Sequence, residues 1–183
     1  MDYYSSDFID PVSGKSSLDM AKEALHVCRS FVDSFGSKFQ NLLIYGNTGV
    51  GKTFLTHCIA RELMDHIHSV IYVTSSQLFD ILGSREFDTD PEKRQAGALL
   101  DECELLIIDD LGTELTNSFT VSQLFICLND RILQKKSTII STNLSLNEIK
   151  SIYSERTFSR ISSNYRLLKL AGDDIRIKKK LMK

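Results

Sequence analysis

Five short runs of large apolar residues punctuate the chain, each followed by a longer stretch of mixed character. They predict strands over 41–45, 69–74, 104–110, 138–142 and 165–170. In the stretches between them, apolar residues recur every three or four positions, which is the period of a helix with one buried face. Strands that alternate with helices in this way are typical of an α/β domain whose parallel sheet is covered on both sides.

Capping residues mark the ends of several predicted helices. Ser17 precedes a helical pattern that Gly36 ends, and Asn117 precedes another. Ser145 and Glu148 have the spacing of a capping box. The predicted helices cover 18–35, 51–65, the region of 78–82, 96–102, 118–134, 145–153 and 154–163. The first fifteen residues have no period and are predicted to form a loop or strap.

The composition fits a single globular domain in a reducing compartment. The chain has 183 residues, of which 42% are hydrophobic and 25% charged, enough to bury one core. Its four cysteines lack C-x-x-C spacing, which favours buried thiols over a disulfide framework or a zinc site. No apolar run reaches the roughly 20 residues of a membrane span, and the N-terminus lacks the order of a signal peptide. We therefore expect a soluble, cytoplasmic protein without a membrane partner.

Charge is distributed unevenly along the chain. The formal net charge is −2, but residues 166–183 carry +5 and the remainder −7. This negative net charge argues against a protein that binds nucleic acid over most of its surface. The basic end is typical of a solvated, frayed terminus, and the alternative is a contact with a phosphate backbone or a partner.

The strongest chemical signal is a glycine-rich stretch directly behind the first predicted strand. It completes the pattern G-x-x-x-x-G-K-[ST] with Gly46, Asn47, Thr48, Gly49, Val50, Gly51, Lys52 and Thr53. In such a P-loop, backbone N–H groups converge on phosphates, the lysine binds the β- and γ-phosphates, and the threonine hydroxyl binds Mg²⁺. Phe54, the next residue, is expected at the same nucleotide site. A glycine-rich turn alone would carry no chemistry, but the strand before it and the helix after it favour a nucleoside triphosphate with Mg²⁺.

A pair of carboxylates ends the third predicted strand. Asp109 and Asp110 are expected at the sheet edge where the P-loop opens, because the carboxyl ends of parallel strands share that edge. We expect Asp109 to hold Mg²⁺, and Asp110 to orient or deprotonate the water that attacks the γ-phosphate. Glu114 is a further candidate catalytic carboxylate near that water. An Asp-Asp strand end could also begin a turn, and the preceding P-loop is what favours catalysis.

Three polar residues later in the chain are candidates for the same site. Asn143 follows the fourth predicted strand, where its amide could bond the attacking water or the γ-phosphate, although asparagine is also a common turn residue. Arg156 and Arg160 lie four residues apart, on one face of a short predicted helix. Arginines on a surface helix are usually solvated or paired with carboxylates, so their spacing alone assigns them no role.

Four motifs together carry a family resemblance. GNTGVGKT, LLIIDDLGTE, IISTN and YSERTFSRI, in this order and spacing, resemble the AAA+ ATPase domain of the DnaC/DnaI helicase loaders across residues 41–177. The resemblance makes the first two the Walker A and Walker B motifs and implies the strand order 5-1-4-3-2 without a separate lid domain. It places Asn143 at sensor 1, Arg160 at the catalytic arginine finger, and Arg176 at a nucleotide-binding position similar to sensor 2.

The same resemblance implies partners and an overall organisation. It makes 1–183 one AAA+ domain, with a strap and helix at 1–40 and a basic tail at 178–183. Residues 76–102, which exceed a plain crossover, are similar to the helical insertion that faces single-stranded DNA in helicase loaders. The implied partners are a replicative helicase, single-stranded DNA and further copies of the chain in an ATP-dependent oligomer. The family's N-terminal helicase-binding domain is expected to be absent. We therefore do not expect this chain to load a helicase on its own.

The resemblance implies an ATPase that loads a helicase in DNA replication and releases DNA contacts on hydrolysis. Asp110 stands where many AAA+ proteins have glutamate, so we expect slow hydrolysis. One alternative is the similar IstB-type transposition helper, which acts on duplex DNA with a transposase. Another is a nucleotide-gated assembly switch that hardly hydrolyses ATP. A small-molecule kinase is disfavoured, because Asn143 and the Arg156–Arg160 helix would then have no function.

Overall fold

The computed structural model describes residues 3–87 and 91–181, and the side chains of 3–84 and 95–180. In these ranges the strands are β1 (Asn41–Gly46), β2 (Val70–Thr74), β3 (Leu105–Leu111), β4 (Ser137–Thr142) and β5 (Tyr165–Leu170). The helices are α1 (Ser17–Asp33), α2 (Lys52–Asp65), α3 (Ser75–Phe87), α4 (Pro91–Glu102), α5 (Ser118–Leu133), α6 (Leu146–Asn164) and α7 (Ile175–Leu181). Each predicted strand is confirmed to within one residue at either end.

The strands form one parallel sheet in the order β2-β3-β4-β1-β5. This confirms both the α/β class and the strand order that the resemblance implies. β1 lies between β4 and β5, and its Tyr45 is level with Thr142. β3 lies on the far side of β4 and is joined to β2, where Thr74 is level with Asp109. The carboxyl ends of β1, β3 and β4 therefore meet at one edge.

The sheet is buried on both faces, as the unbroken apolar strands predict. Successive residues of a strand point to opposite faces, so Leu105 and Ile107 of β3 join one core, with α1 and α2. Leu106 and Ile108 join the other core, with α3, α5 and α6. All four side chains are fully buried. The sheet is therefore a rigid support for the loops at its carboxyl edge.

Several predicted helix boundaries are wrong by a few residues. The cap of α1 is Ser16, whose side chain accepts from Asp19 N, because the Ser17 hydroxyl is bonded to the Ser5 backbone. The same helix ends at Asp33, ahead of Gly36. α4 begins at Pro91, five residues ahead of the predicted start at residue 96, since proline fits the first turn of a helix. Residues 88–90, which precede it, lie outside the described residues.

The C-terminal elements follow the predicted breaks with one exception. α6 contains a break at Ser154, where φ is 78° and ψ is 158°, so the two short helices predicted there meet at that residue. The basic end is a helix, α7, up to residue 181, where a frayed end was predicted. Lys178 holds α7 in place by contacts with Asp173 and with the Tyr3 carbonyl. Residues 182 and 183 of the predicted tail lie outside the described residues.

The predicted N-terminal strap is fastened to the sheet and to the P-loop. The buried Asp10 accepts from Lys169 Nζ of β5 at 2.6 Å and from the Ser13 hydroxyl at 2.7 Å. The lysine contact is the main cause that lowers the pKa of Asp10 to about 2, so this attachment persists at ordinary pH. At the other end of the strap, the Tyr4 hydroxyl donates to the Val50 carbonyl at 2.7 Å.

A buried arginine joins the insertion to the rest of the domain. Arg131 of α5 is 3% exposed, and no carboxylate of the described residues pairs with it. Its guanidinium donates to the carbonyl of Leu100 at 2.9 Å, to that of Ser137 at 2.7 Å and to the Thr138 hydroxyl at 3.0 Å. These bonds connect α4 and the start of β4 to α5.

Arg131→Met is expected to lower the free energy of unfolding by about 3 kcal/mol, because several buried carbonyl groups would lose their donor at once. Urea unfolding followed by circular dichroism measures the change. Arg61→Met is the matched control, since the Arg61 side chain is 85% exposed and should shift stability by less than about 0.5 kcal/mol. Equal unfolding midpoints for the two variants would contradict the account of Arg131.

Candidate nucleotide-binding site

The loop between β1 and α2 has the geometry of an anion-binding site. Gly51 precedes α2 with φ of 97° and gives the helix no side-chain cap, so the first N–H groups of α2 are free to bind an anion. Gly46 has φ of 141°, and a Cβ there would lie 1.8 Å from the Leu170 carbonyl oxygen. Both positions therefore require glycine.

Lys52 lies at the centre of this loop with its ammonium group fully bonded. Its Nζ donates to the carbonyls of Gly46 and Asn47 at 2.8 Å each, and to Asn143 Oδ1 at 2.6 Å. Burial lowers the pKa of Lys52, while the nearby Asp110 and Asp109 oppose the shift. The pairing of β1 with β4 is what brings Asn143 to the P-loop.

Asp109 accepts hydrogen bonds from three hydroxyl groups that come from different elements. Thr53 at the start of α2 donates to Oδ1 at 3.3 Å, and Ser141 of β4 donates to the same oxygen. Tyr72 of β2 donates to Oδ2 at 2.8 Å. Asp109 is buried, with only 5% of the residue exposed. Asp109 is thus fixed beside the Walker A threonine.

Asp110 has a left-handed backbone, with φ of 54°, which is unusual for a residue with a side chain. The pairing of β3 with β4 is interrupted between Ile108 and Leu111, so Asp110 leaves the regular ladder. Its N–H donates to the Ser141 hydroxyl at 3.1 Å, and its carbonyl accepts from Ser75 at 3.1 Å. This conformation turns Asp110 into the cleft beside the P-loop, whereas Asp109 remains buried.

A cleft of about 580 Å³ opens over the P-loop, a size typical of small-molecule sites. Residues of the strap, the P-loop, the start of α2, β3, the segment after β4 and α7 all contribute to it. Its lining comprises Tyr3, Tyr4, Thr48, Gly49, Gly51, Lys52, Thr53, Phe54, Asp110, Asn143, Ile175, Arg176 and Lys179. The lining therefore combines charged and polar groups with the larger aromatic and aliphatic side chains of Tyr3, Tyr4, Phe54 and Ile175.

The sequence profile of the family described as "IstB-like ATP binding protein" matches residues 17–182. The chain belongs to the IstB-like ATP-binding protein family. The family is named for binding ATP, and the geometry of the P-loop is consistent with that property.

Relatives of this IstB-like chain include two helicase loaders. The replicative helicase loader DnaC of Escherichia coli strain K12 is 23% identical over 138 residues, which is 75% of this chain and 56% of that protein. The replicative helicase loader DnaI of Bacillus subtilis strain 168 is 29% identical over 150 residues, covering 79% and 46% respectively. The chain thus spans about half the length of these relatives.

A solved structure with the same fold is the replication initiator DnaA bound to AMPPCP and single-stranded DNA. It has a TM-score of 0.73 to this chain and 21% identity, and the match covers 96% of this chain and 56% of that one. At this identity the match shows the fold alone. The domain has the fold of the AAA+ P-loop ATPases, as the resemblance of its motifs implies.

Most of the predicted nucleotide residues of this IstB-like domain line the cleft, but two predicted catalytic residues do not. The Glu114 carboxylate accepts from the Tyr153 hydroxyl and from Gly112 N, the latter at 2.9 Å. Arg160 is exposed on α6 and has no ion-pair partner among the described residues. The catalytic functions of both residues stay predictions, and the contacts of Glu114 favour a structural function.

Arg176 lies at the mouth of the cleft with a carboxylate partner. Its Nε and Nη2 donate to the two oxygens of Asp174 at 3.0 and 2.7 Å. This pairing is the main cause that lowers the pKa of Asp174 to about 2. The backbone of the same turn is bonded to the P-loop, since Ile175 N donates to the Gly49 carbonyl at 2.9 Å. The C-terminal turn and α7 therefore rest directly on the P-loop.

The oxygen donors at Thr53 and Asp109 fit Mg²⁺. They are hard ligands 3.3 Å apart beside the phosphate loop. The described residues contain no group of three or more His, Cys, Asp or Glu side chains placed to hold a metal. Mg²⁺ commonly binds through one or two protein oxygens together with nucleotide phosphates, so these residues suit it when a nucleotide is present.

Four residues that line the cleft were not predicted from the sequence as parts of the site. Tyr3 and Tyr4 belong to a segment without any period, and nothing in the sequence places them over the P-loop. Ile175 and Lys179 have the i, i+4 spacing of one helix face, which could have indicated a helix beside Arg176. Among the described residues, no helix is long and apolar enough to cross a membrane.

Proposed function

We propose that this chain is the ATPase domain of a replicative-helicase loader, which binds ATP with Mg²⁺ and hydrolyses it. The observation that carries the proposal is the meeting of Lys52, Asn143 and Asp110 around one phosphate loop. Lys52 begins α2, Asp110 lies near the carboxyl end of β3, and Asn143 directly follows β4. A glycine-rich turn with no ligand would have no need of a lysine, an amide and a carboxylate brought together from separate elements.

At the phosphate end, the residues have distinct functions. Lys52 exchanges its carbonyl partners for β- and γ-phosphate oxygens, and Asn143 beside it orients the γ-phosphate or the attacking water. Asp110 accepts a proton from that water. Burial, followed by the charge of Asp109, raises the pKa of Asp110, which improves it as a base. Mg²⁺, when bound beside Thr53 and Asp109, neutralises phosphate charge.

The aromatic and aliphatic part of the cleft lining suits a nucleobase. It comprises Tyr3, Tyr4, Phe54 and Ile175. The Tyr4 hydroxyl is already committed to the Val50 carbonyl, so its ring is held in place before a ligand arrives. Aromatic and aliphatic side chains of this kind bury a purine ring favourably.

The helicase-loader function is supported by the relatives DnaC and DnaI, which are both named as replicative helicase loaders. The helicase itself and single-stranded DNA are the proposed partners, with α3 and α4 as the DNA-contacting insertion. The DnaA structure with single-stranded DNA supports this fold as a DNA-binding one. Contacts to phosphates would make DNA binding strongly dependent on salt.

The second candidate is an IstB-type transposition helper, and the family profile over residues 17–182 is the observation that favours it. Pull-down of the ATP-bound protein with a purified replicative helicase or a purified transposase separates the two. The loader proposal expects retention of the helicase, together with ATP-stimulated binding of single-stranded oligonucleotides. Retention of the transposase and preference for duplex DNA would favour the helper.

Lys52→Ala is expected to weaken ATP binding 10- to 100-fold, because the charge-assisted contact it removes is worth about 1.5–3 kcal/mol. Isothermal titration calorimetry with the analogue AMPPCP measures the dissociation constant. Lys38→Ala removes an exposed lysine away from the cleft and should leave the constant unchanged. Unchanged affinity in Lys52→Ala would remove the P-loop from nucleotide binding.

A further inference from the structure

Tyr72 is a polar contact of the Walker B carboxylate that lies outside the usual P-loop motifs. Its hydroxyl donates to Asp109 Oδ2 at 2.8 Å, while Thr53 and Ser141 donate to Oδ1. The two carboxylate oxygens therefore have separate sets of partners. Without Tyr72, no described residue would donate to Oδ2, and the carboxylate could rotate about its Cβ–Cγ bond.

Helix α2 holds the Tyr72 ring from two sides. The His57 ring stacks on it with centroids 4.4 Å apart and planes inclined by 16°. His57 is anchored in turn, since its Nδ1 is 2.8 Å from the Thr53 carbonyl oxygen. The Thr56 hydroxyl lies 2.9 Å from the Tyr72 hydroxyl. Two adjacent residues of α2, Thr56 and His57, thus connect the P-loop helix to β2.

The donor in the hydrogen bond between Tyr72 and Asp109 follows from the number of protons that each group carries. An ionised Asp109 only accepts hydrogen bonds, so the Tyr72 proton must go to Asp109. The single Thr56 hydroxyl proton is then shared between the Thr53 carbonyl oxygen and the Tyr72 oxygen, each 2.9 Å away. Burial, and to a lesser extent the bond to Asp109, raise the pKa of Tyr72, so the hydroxyl keeps its proton. The direction of the bond is therefore fixed.

We propose that Tyr72 is a positioning residue that fixes the Asp109 carboxylate for Mg²⁺, and that His57 and Thr56 hold Tyr72 in place. The inference rests on the proposed function, because it concerns the metal that accompanies ATP. Tyr72 does not line the nucleotide cleft, so it acts on the nucleotide only through Asp109. Partners of a metal-holding group in this position commonly change metal affinity when they are removed.

Tyr72→Phe tests this inference, since it removes the hydroxyl and keeps the ring that stacks on His57. The affinity for AMPPCP is measured by calorimetry in EDTA and in excess Mg²⁺, and the ratio of the two constants is the magnesium stimulation. We expect Tyr72→Phe to reduce that ratio about 10-fold while leaving the affinity in EDTA unchanged. A residue that only stabilised the fold would change both affinities equally or neither.

Tyr45→Phe is the matched control, because Tyr45 is also a half-buried strand tyrosine and its hydroxyl makes no hydrogen bond within the described residues. It should leave the magnesium stimulation unchanged. His57→Ala is a second variant that keeps the Tyr72 hydroxyl and removes only the stacked ring. We expect it to reduce the stimulation in the same direction by a smaller factor.

The outcomes separate the inference from the function on which it rests. If the parent protein shows no magnesium stimulation of AMPPCP binding, the proposed function is wrong. If the parent shows it and Tyr72→Phe retains the full ratio, the positioning function of Tyr72 is wrong. Should Tyr72→Phe fail to fold, an unchanged ratio in His57→Ala would overturn the inference by itself.

Discussion

Arg160→Ala is expected to bind ATP as the parent does and to lose nearly all turnover. An arginine that completes a phosphoryl-transfer site from a neighbouring subunit contributes about 10³–10⁵ in rate in GTPases. Arg160 is exposed on α6, does not line the cleft of its own chain and has no ion-pair partner among the described residues. Such a side chain is available to the γ-phosphate of another copy.

Mixing variants shows whether Arg160 acts between subunits. Lys52→Ala lacks the proposed phosphate-binding lysine and Arg160→Ala lacks the proposed arginine finger, so we expect each variant to be inactive alone. A mixture of the two contains interfaces that join an intact P-loop to an intact Arg160, and phosphate release should recover in part. Arg156→Ala is the control, because Arg156 lies one helical turn earlier on the same exposed face. Absence of any recovery, with full activity in Arg160→Ala alone, would make Arg160 a plain surface residue.

Asp110→Asn is expected to leave ATP bound and to slow its hydrolysis by about 10²–10⁴, the usual contribution of a general base. The amide keeps the shape of the side chain and cannot accept the proton of the attacking water. Single-turnover phosphate release measures the rate, and calorimetry checks that nucleotide still binds. Equal turnover in variant and parent would remove Asp110 from catalysis.

The pH dependence of the parent provides a second check on Asp110. The residue must be ionised to act as a base, so the rate should rise with pH through its pKa. Burial and the charge of Asp109 raise that pKa, and therefore the acid limb should lie above the range of an ordinary aspartate. Asp109→Asn provides the contrast, since it should reduce magnesium stimulation of nucleotide binding as well as turnover.

The sheet and the phosphate loop could be predicted because local patterns determine them. Each apolar strand is bounded by turn or capping residues, and the glycine positions of the P-loop are required by backbone geometry. Asn143 could be linked to the site because it ends a strand, and the pairing of β4 with β1 then brings it within 2.6 Å of Lys52. The strand order itself came from the family resemblance.

Other parts of the site depend on contacts between segments distant in sequence. The strap over the P-loop is held by Asp10 against Lys169 and by Tyr4 against Val50, and neither pair has a local signal. The left-handed backbone of Asp110 is fixed by hydroxyl groups from β4 and α3, which no pattern around Asp110 shows. Glu114 was predicted as a catalytic residue only because it is close to Asp110 in sequence. Its hydrogen bond with Tyr153 joins residues far apart in the chain, which no local pattern indicates.

We propose that this cleft hydrolyses ATP at contacts between copies of the chain. Phosphate release from ATP in the presence of Mg²⁺, measured per subunit across a wide range of protein concentration, tests this proposal. We expect slow release that rises per subunit with concentration and is absent from Lys52→Ala at every concentration. Release no greater than that of Lys52→Ala, from a parent protein that binds ATP fully, would contradict it and indicate a nucleotide-gated switch.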